Sequence, residues 1–448
     1  MGHLLSTRGE RTGLIDDLNC ALSVYKQGWS CRGAAPSIRI RLGWNAAKML
    51  ATRLNWKESS GLLQEAVHLL SAVSPQSLKH TDKQDILASF AGLASMAAAT
   101  ALNAGESACH ALQLLEVGRG VIAGLLMELR GDISDLTQQH PDLADELISL
   151  REELDSPVDR STILSSADNG LSWEAQVTRR RDADQKFSET LIKIRAKPGF
   201  HNFLLPPTAD ELMAAVNPDP IVVVNLSAYR CDAFLIERAQ IRVLELPNLK
   251  IEEVQERVHS LKLSSPIASS DFTSLLEWLW DTVSGPILKV LGFNKPTSDG
   301  NWPRVWWIPT GILSQLPLHA AGYHTRGSTE TALDRVMSSY ASSVKSLIYG
   351  RRHHVRQQEG PITDHALPVA MHETPGLSQN QYLPYAKEEV DMLNDICPSL
   401  QLRPIKTVRR KDDVLRHLQG CRIFHFAGHG QSDPFQKYTL YLLHQPEL

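Results

Sequence analysis

Long hydrophobic runs are missing from this 448-residue chain. No stretch approaches the ~18 consecutive apolar residues of a membrane span. No apolar h-region follows the N-terminus, so secretion is not expected either. Charge of one sign is also missing: 46 Lys and Arg stand against 50 Asp and Glu, a formal net charge of −4. A weakly acidic chain carries no general electrostatic footprint for nucleic acid. Cysteine is sparse, six in all, and no two form a Cys-x-x-Cys pair. That pattern describes free thiols in a reducing compartment rather than a disulfide framework. H-E-x-x-H, P-loop and G-x-S-x-G sequences are absent, which removes several common signatures of zinc, nucleotide and serine-hydrolase chemistry. The expectation is a soluble cytoplasmic protein without nucleic-acid or membrane partners.

What is present is ordinary globular composition, 42% apolar and 21% charged. At ~150 residues per domain, the length implies two or three domains. One terminal feature runs against the soluble reading: Met1-Gly2-His3-Leu4-Leu5-Ser6 fits the loose M-G-x-x-x-S pattern of myristoylation at Gly2. A single acyl chain without a second signal gives only marginal membrane binding.

Apolar residues recur at helical spacing over residues 16–130. Leu62, Leu63, Ala66, Val67, Leu69, Leu70 and Val73 make one wide stripe. Residues 88–102 are rich in Ala, Gly and Ser, which suits a helix packed closely on more than one side. Ala51-Thr52-Arg53-Leu54-Asn55 reappears as Ala99-Thr100-Ala101-Leu102-Asn103, and Ala66-Val67-His68-Leu69-Leu70 is echoed by Ala111-Leu112-Gln113-Leu114-Leu115. Such a period predicts a solenoid of helical hairpins that is entered partway. Stacked hairpins can offer a concave surface to a protein or peptide partner, or they can merely brace the C-terminal half; the sequence leaves both open. Gly118-Arg119-Gly120 with Gly124 sits inside the helical pattern, so close helix packing is expected there and not a dinucleotide turn. Residues 131–206 are charged and read as a solvated long helix or linker, with Arg179-Arg180-Arg181 on an exposed face.

The second half alternates. Ile221 to Val224, Ala233 to Ile236 and Ile241 to Leu244 predict an antiparallel meander. A helix over 274–291 leads to a buried strand, Arg304-Val305-Trp306-Trp307-Ile308-Pro309. Strands over 367–371, 400–404 and 422–426 enclose helices over 388–396 and 411–418, which implies right-handed crossovers and a mostly parallel sheet. Residues 350–360 are expected as an exposed loop.

The chemistry is concentrated in Ile423-Phe424-His425-Phe426-Ala427-Gly428-His429-Gly430, an apolar strand ending in Gly-His-Gly. Alternate residues share a strand face, so His425 and His429 point the same way on a regular strand. A histidine at the carboxyl edge of a parallel sheet stands where ligands and catalytic groups collect, and it can act as a base at neutral pH. It can equally be a histidine that satisfies a local carbonyl. Two histidines four apart, with no Cys or carboxylate at ligand spacing, do not make a zinc site, and no metal or cofactor is expected.

Val305-Trp306-Trp307-Ile308-Pro309-Thr310-Gly311, Leu316-Pro317-Leu318-His319-Ala320-Ala321-Gly322, Glu388-Glu389-Val390 and Phe424-His425-Phe426-Ala427-Gly428-His429-Gly430 together resemble the CHAT domain, a caspase-like module commonly found behind tetratricopeptide repeats. The helical segment, including Leu115-Glu116-Val117-Gly118-Arg119-Gly120, is similar to the repeat region of fungal members. The resemblance implies that His429 is the general base of a cysteine peptidase and that the backbone of Gly430 stabilises the oxyanion. It also implies a cysteine on a later strand, ~50 residues after the histidine in caspase-type proteases. No cysteine follows His429 here. Tyr438-Thr439-Leu440-Tyr441-Leu442-Leu443 reads as the next strand, and the element expected to carry the nucleophile is not among these residues. Cys20, Cys31, Cys109, Cys231, Cys397 and Cys421 are poor substitutes by position.

The expectation is therefore a multidomain protein: TPR-like helical-hairpin repeats over 1–155, a charged helical linker over 156–215, and an α/β caspase-like CHAT domain over 216–448 that is incomplete at its C-terminus. As written it is expected to be an inactive member of the cysteine-peptidase class, or a non-catalytic scaffold that uses its repeats.

Overall fold

The computed structural model describes residues 1–73, 83–126, 132–155, 169–216, 218–263, 269–297, 302–357, 364–371, 383–405, 411–418 and 420–428. Six helices come first: α1 (Gly2–Thr12), α2 (Ile15–Ser30), α3 (Pro36–Thr52), α4 (Trp56–Leu69), α5 (Lys83–Asn103) and α6 (Ala108–Leu126). Each packs on the next. The stripe on α4 and the 3-10 turn after it goes inward as its spacing predicts: Leu63, Ala66, Val67, Leu70 and Val73 are buried, with Leu62 and Leu69 at the margin. Every residue from Leu93 to Thr100 of α5 is buried, which small side chains permit on a helix with neighbours on several sides.

The hairpins α3–α4 and α5–α6 repeat, but in a different register from the sequence echo. Leu54 and Gly105 both take left-handed backbone, φ 59° and 85°. Each is followed by a matching cap bond, Asn55 N to Leu50 O at 3.0 Å and Glu106 N to Ala101 O at 2.9 Å. Asn55 then caps α4 and Ser107 caps α6. The structural equivalents are thus Leu54 with Gly105, whereas the echo pairs Leu54 with Leu102. Chain reversal is set by the residue that can adopt positive φ and by the N-cap, not by apolar identity.

Helices α7 (Asp132–Gln139), α8 (Pro141–Asp155), α9 (Asn169–Arg195) and α10 (Ala209–Ala214) follow. In place of a solvated stretch, α7, α8 and α9 share a core of Leu136, Ala144, Leu147, Leu150, Leu154, Phe187 and Ile194, closed by Phe200 and Phe203. The arginine run is split by the helical period. Arg179 and Arg181 are exposed, while Arg180 is buried and donates to Gly33 O at 3.4 Å.

Strands β1 (Ile221–Asn225), β2 (Asp232–Ile236) and β3 (Ile241–Glu245) form the expected antiparallel meander. Then come α11 (Ile251–Leu263), α12 (Ser269–Leu279), a π-helical turn (Trp280–Ser284), α13 (Gly285–Val290), β4 (Arg304–Pro309) and β5 (Met337–Tyr340). The sheet order is β3-β2-β1-β4-β5, with β4 parallel to β1 and β5 parallel to β4. Alternation divides its side chains between two cores. Ile221, Val223, Phe234, Ile236 and Ile308 join Leu93, Leu112 and Leu115 of the hairpin α5–α6. Val222, Val224, Leu235, Val305 and Trp307 join Leu275, Leu279, Ile287 and Leu288 of the crossover helices. The hairpin is therefore one of the two helical layers of this sheet.

Helix α14 (Val344–Gln357) follows β5. It replaces the loop expected over 350–360 as far as Gln357. Its Arg, His and Gln residues are tolerated in a helix, and no Gly or Pro interrupts 351–357. The chain divides into two compact units, Met1–Tyr349 and Gly350–Leu448. In the second, β6 (His365–Ala370), α15 (Ala386–Ile396), β7 (Arg403–Pro404), α16 (Lys411–Leu418) and β8 (Ile423–Ala427) build a fully parallel sheet in the order β7-β6-β8. The strand expected over 400–404 shrinks to two residues, because Cys397–Leu400 is a 3-10 turn and Gln401 has φ 56°. An all-α region followed by α/β architecture with a mostly parallel sheet is the outcome.

Candidate functional site

Strand β8 lies beside β6 with Pro368 opposite His425 and Ala370 opposite Ala427, and Met371 N donates to Ala427 O at 2.7 Å to extend the ladder. Alternation again sorts the side chains. Phe426 packs with Leu367, Val369 and Val414 of α16, while Ala427 packs with Ala370 and with Ala386 and Val390 of α15. Gly428 stands at the carboxyl end of the strand in a space that excludes any side chain: a Cβ there would lie 2.6 Å from the Phe426 ring and 3.2 Å from Met371 Cβ. His429, Gly430 and the strand expected over 438–443 lie outside the described residues.

His425 is described, and it has a partner. Its Nε2 is 2.9 Å from Glu389 Oε1 in the first turn of α15. Both residues belong to motifs that stand out in the sequence, but no spacing connects positions 36 apart. Only the tertiary fold reveals the contact. The pair is solvent-accessible, with side-chain exposures of 33% and 54%, so it is a tie between helix and strand and not a buried charge.

Cys109, Cys231, Cys397 and Cys421 are not arranged for nucleophilic chemistry. Cys231 is buried and donates to Ser227 O at 3.4 Å, and burial pushes its thiol up. Burial also pushes up Cys109 and Cys421, and Cys397 is buried. A reactive thiol needs the opposite, an electropositive setting that favours thiolate. Among the described residues no three His, Cys, Asp or Glu side chains come together as a metal site, and no helix is long and apolar enough to cross a membrane. Gly2 is buried against the Tyr25 ring, 2.9 Å from where its Cβ would stand.

The carboxyl edge of the five-stranded sheet carries a second constellation. Arg119 of α6 donates from Nε to Ser342 O at 2.9 Å and from NH2 to Pro309 O at 3.2 Å. Glu116, one turn earlier, accepts from Lys345 N at 2.9 Å. Burial pushes the Glu116 carboxyl up and the Arg119 guanidinium down, and each charge partly counters the other's shift. Nearby, Tyr340 Oη accepts from the backbone N of His319 and lies 3.0 Å from its Nδ1; burial holds His319 below the ordinary histidine value. Glu116 and Arg119 fall within the repeat-region resemblance, but their role at the sheet edge cannot be read from it. Gly118 between them is not a phosphate turn; it lies within α6 at a close approach to α5, as the helical context predicts.

No curated protein matches the chain. The family model of the CHAT domain matches residues 273–447, a span that begins in α12 and contains β4 to β8, leaving β1 to β3 and the covering hairpin α5–α6 on its N-terminal side: this chain carries a CHAT domain.

Proposed function

We propose that the CHAT domain of this chain is of the caspase-like cysteine-peptidase class, with His429 as general base and the backbone N–H of Gly430 at the oxyanion, and that the N-terminal helices bind a protein partner or substrate. In this reading the functional division runs 1–155, 156–215 and 216–448. The observation that supports it is the CHAT match combined with β8, a parallel strand whose carboxyl end passes Gly428 directly into His429 in sequence. From such a position an imidazole would draw the proton from a thiol. The thiolate would attack the scissile carbonyl, and backbone N–H groups would hold the developing negative charge. Within these 448 residues no cysteine follows His429. The polypeptide as written is accordingly proposed to be inactive.

Two measurements test this. The first compares hydrolysis of pooled fluorogenic peptides by the 448-residue chain and by its His429→Ala variant. No difference is expected, and turnover that depends on His429 overturns the proposed inactivity. The second is intact mass and peptide mapping of the protein from its native source, followed by labelling with a peptide electrophile. A cysteine beyond residue 448 that is labelled only when His429 is present supports the peptidase class. If the native chain shows no labelled cysteine, that part of the reading fails. The second reading, a non-catalytic scaffold that uses the N-terminal helices, then stands.

A further inference from the structure

Helix α3 carries three cations, Arg39, Arg41 and Lys48, and no Asp or Glu. Arg39 is used inside the fold, donating from Nε to Trp29 O at 3.2 Å with its guanidinium over the Trp29 ring. Arg41 and Lys48 lie elsewhere. With Ile38, Asn45 and Thr52 they follow a three-four spacing that puts all five on one side of the helix. Asn45 is half-buried and the other four are exposed, whereas Ile40, Ala47 and Leu50 on the remaining sides of α3 are buried. Cations of the neighbouring helices find acids: Arg8 pairs with Asp17, and Lys26 with Glu58. Among the described residues neither Arg41 nor Lys48 has a hydrogen bond or an ion pair. Lys48 has an aromatic platform instead. Its Nζ lies 3.9 Å from the centre of the Trp44 ring, and Trp44 is fixed in turn by Nε1, which donates to Met96 Sδ of α5 at 3.2 Å. Burial there lowers the Lys48 ammonium below the ordinary lysine value, with no carboxylate to offset it. A carboxylate brought to this face would supply the missing partner.

Arg41 and Lys48 are two helical turns apart, about 10.5 Å along the axis. An extended peptide covers that distance in about three residues, at ~3.3 Å each. We propose that the face of α3 bearing Ile38, Arg41, Asn45, Lys48 and Thr52 docks an acidic, extended peptide segment of a partner protein, with carboxylates about three residues apart meeting Arg41 and Lys48. The inference rests on the partner-binding role proposed for the N-terminal helices, and it adds the face and the chemistry of recognition. Complementary charge of this kind guides encounter and fixes register, while Ile38, 49% exposed, offers an apolar contact at one end. It does not depend on the peptidase reading.

The test is fluorescence anisotropy with the full chain. The probes are fluorescein-labelled pools of random dodecapeptides that differ only in acid content, from no Asp or Glu to several. Affinity should rise with acid content by roughly tenfold across the pools and fall between about 50 mM and about 200 mM salt. Arg41→Glu combined with Lys48→Glu should abolish the preference for acidic pools. Lys57→Glu combined with Lys289→Glu, the same charge change at exposed positions on other helices, should keep it. The Arg41 and Lys48 pair is exposed and lacks an acid partner, so its removal should leave the Tm near the wild-type value; if the Glu pair does not fold, Arg41→Gln with Lys48→Gln takes its place. Peptide binding that ignores acid content, or that survives loss of Arg41 and Lys48, overturns the proposal and leaves the helices as a partner-binding surface of another kind. No binding by any pool overturns both. A single-stranded oligonucleotide bound more tightly than the most acidic pool, and through the same two residues, overturns the choice of a peptide.

Discussion

Gly118 of α6 and Ala94 of α5 approach so closely that a methyl group at Gly118 would stand 2.4 Å from Ala94 Cβ. The two helices share the buried layer that covers one face of the five-stranded sheet. Gly118→Ala must therefore push α6 off α5 or off the sheet, and overpacking of this kind costs about 1–3 kcal/mol. Gly61, in the exposed face of α4, has nothing within 4 Å of an added Cβ. There the same substitution should stabilise by up to about 1 kcal/mol, through helix propensity alone. Urea melts of the two variants should shift in opposite directions without a change in slope.

Truncation should show that the helical hairpin belongs to the sheet. Ile221, Val223, Phe234, Ile236 and Ile308 are each fully buried, and their cover includes Leu93, Leu112 and Leu115. A chain starting at residue 132 exposes that face and should be insoluble or lack near-ultraviolet dichroism. A segment limited to 273–447 also lacks β1, the strand between β2 and β4, and should fail for the same reason. A monodisperse, cooperatively melting product from either segment would show that the hairpin is dispensable.

The tie between Glu389 and His425 should be weak in energy. Both side chains are partly exposed, and pairs of this kind couple by about 0.2–1 kcal/mol. A double-mutant cycle of Glu389→Gln and His425→Asn should return a coupling in that range and fall with added salt. A coupling of several kcal/mol would mean that the contact is far better shielded than its exposure indicates.

Stability should carry a pH signature from His319. Tyr340 Oη already accepts from the His319 backbone N–H, so its own proton can go to Nδ1 only while the imidazole is neutral. Burial lowers the folded pKa below the unfolded value. The unfolded chain then binds more protons as pH falls through the ordinary histidine range, so the stability contribution is present above that range and lost on acidification. Solvent screening keeps the effect below about 1 kcal/mol, because His319 is only partly desolvated and much of its side chain still reaches solvent. Chemical denaturation at about pH 7.5 and about pH 5.5, either side of the ordinary histidine range, should show a larger acid loss for wild type than for His319→Gln. Equal losses would remove His319 as the source.

Much of the architecture is legible in the sequence because it rests on local composition and periodicity. Ile221-Val222-Val223-Val224 is an unbroken β-branched run, and that composition marks β1 as a strand before any partner is known. The Leu63, Ala66, Val67, Leu70 stripe marks α4 by its spacing. Arg179-Arg180-Arg181 reads as uniformly exposed, and wrongly so, because composition alone does not reveal which of three neighbours the helical turn sends inward. The helix in place of the loop expected over 350–360 is hidden for another reason. The cap that starts α14 has a remote component, Glu116, that no local window contains.

Local pattern was sufficient for the helical N-terminal region, the strands β1 to β4, β6 and β8, the small-residue interface of α5, and the motifs that mark the CHAT domain, but not for β5 or α14. Those features depend on side-chain period, size and backbone freedom within a few neighbouring residues. Packing in three dimensions was needed to establish that α5 and α6 are a layer of the sheet, that Glu116 caps a helix 229 residues away and that Glu389 meets His425. Each of these joins groups far apart in sequence. Partners for buried apolar faces and orphan backbone N–H groups are chosen by spatial proximity, which linear spacing does not encode.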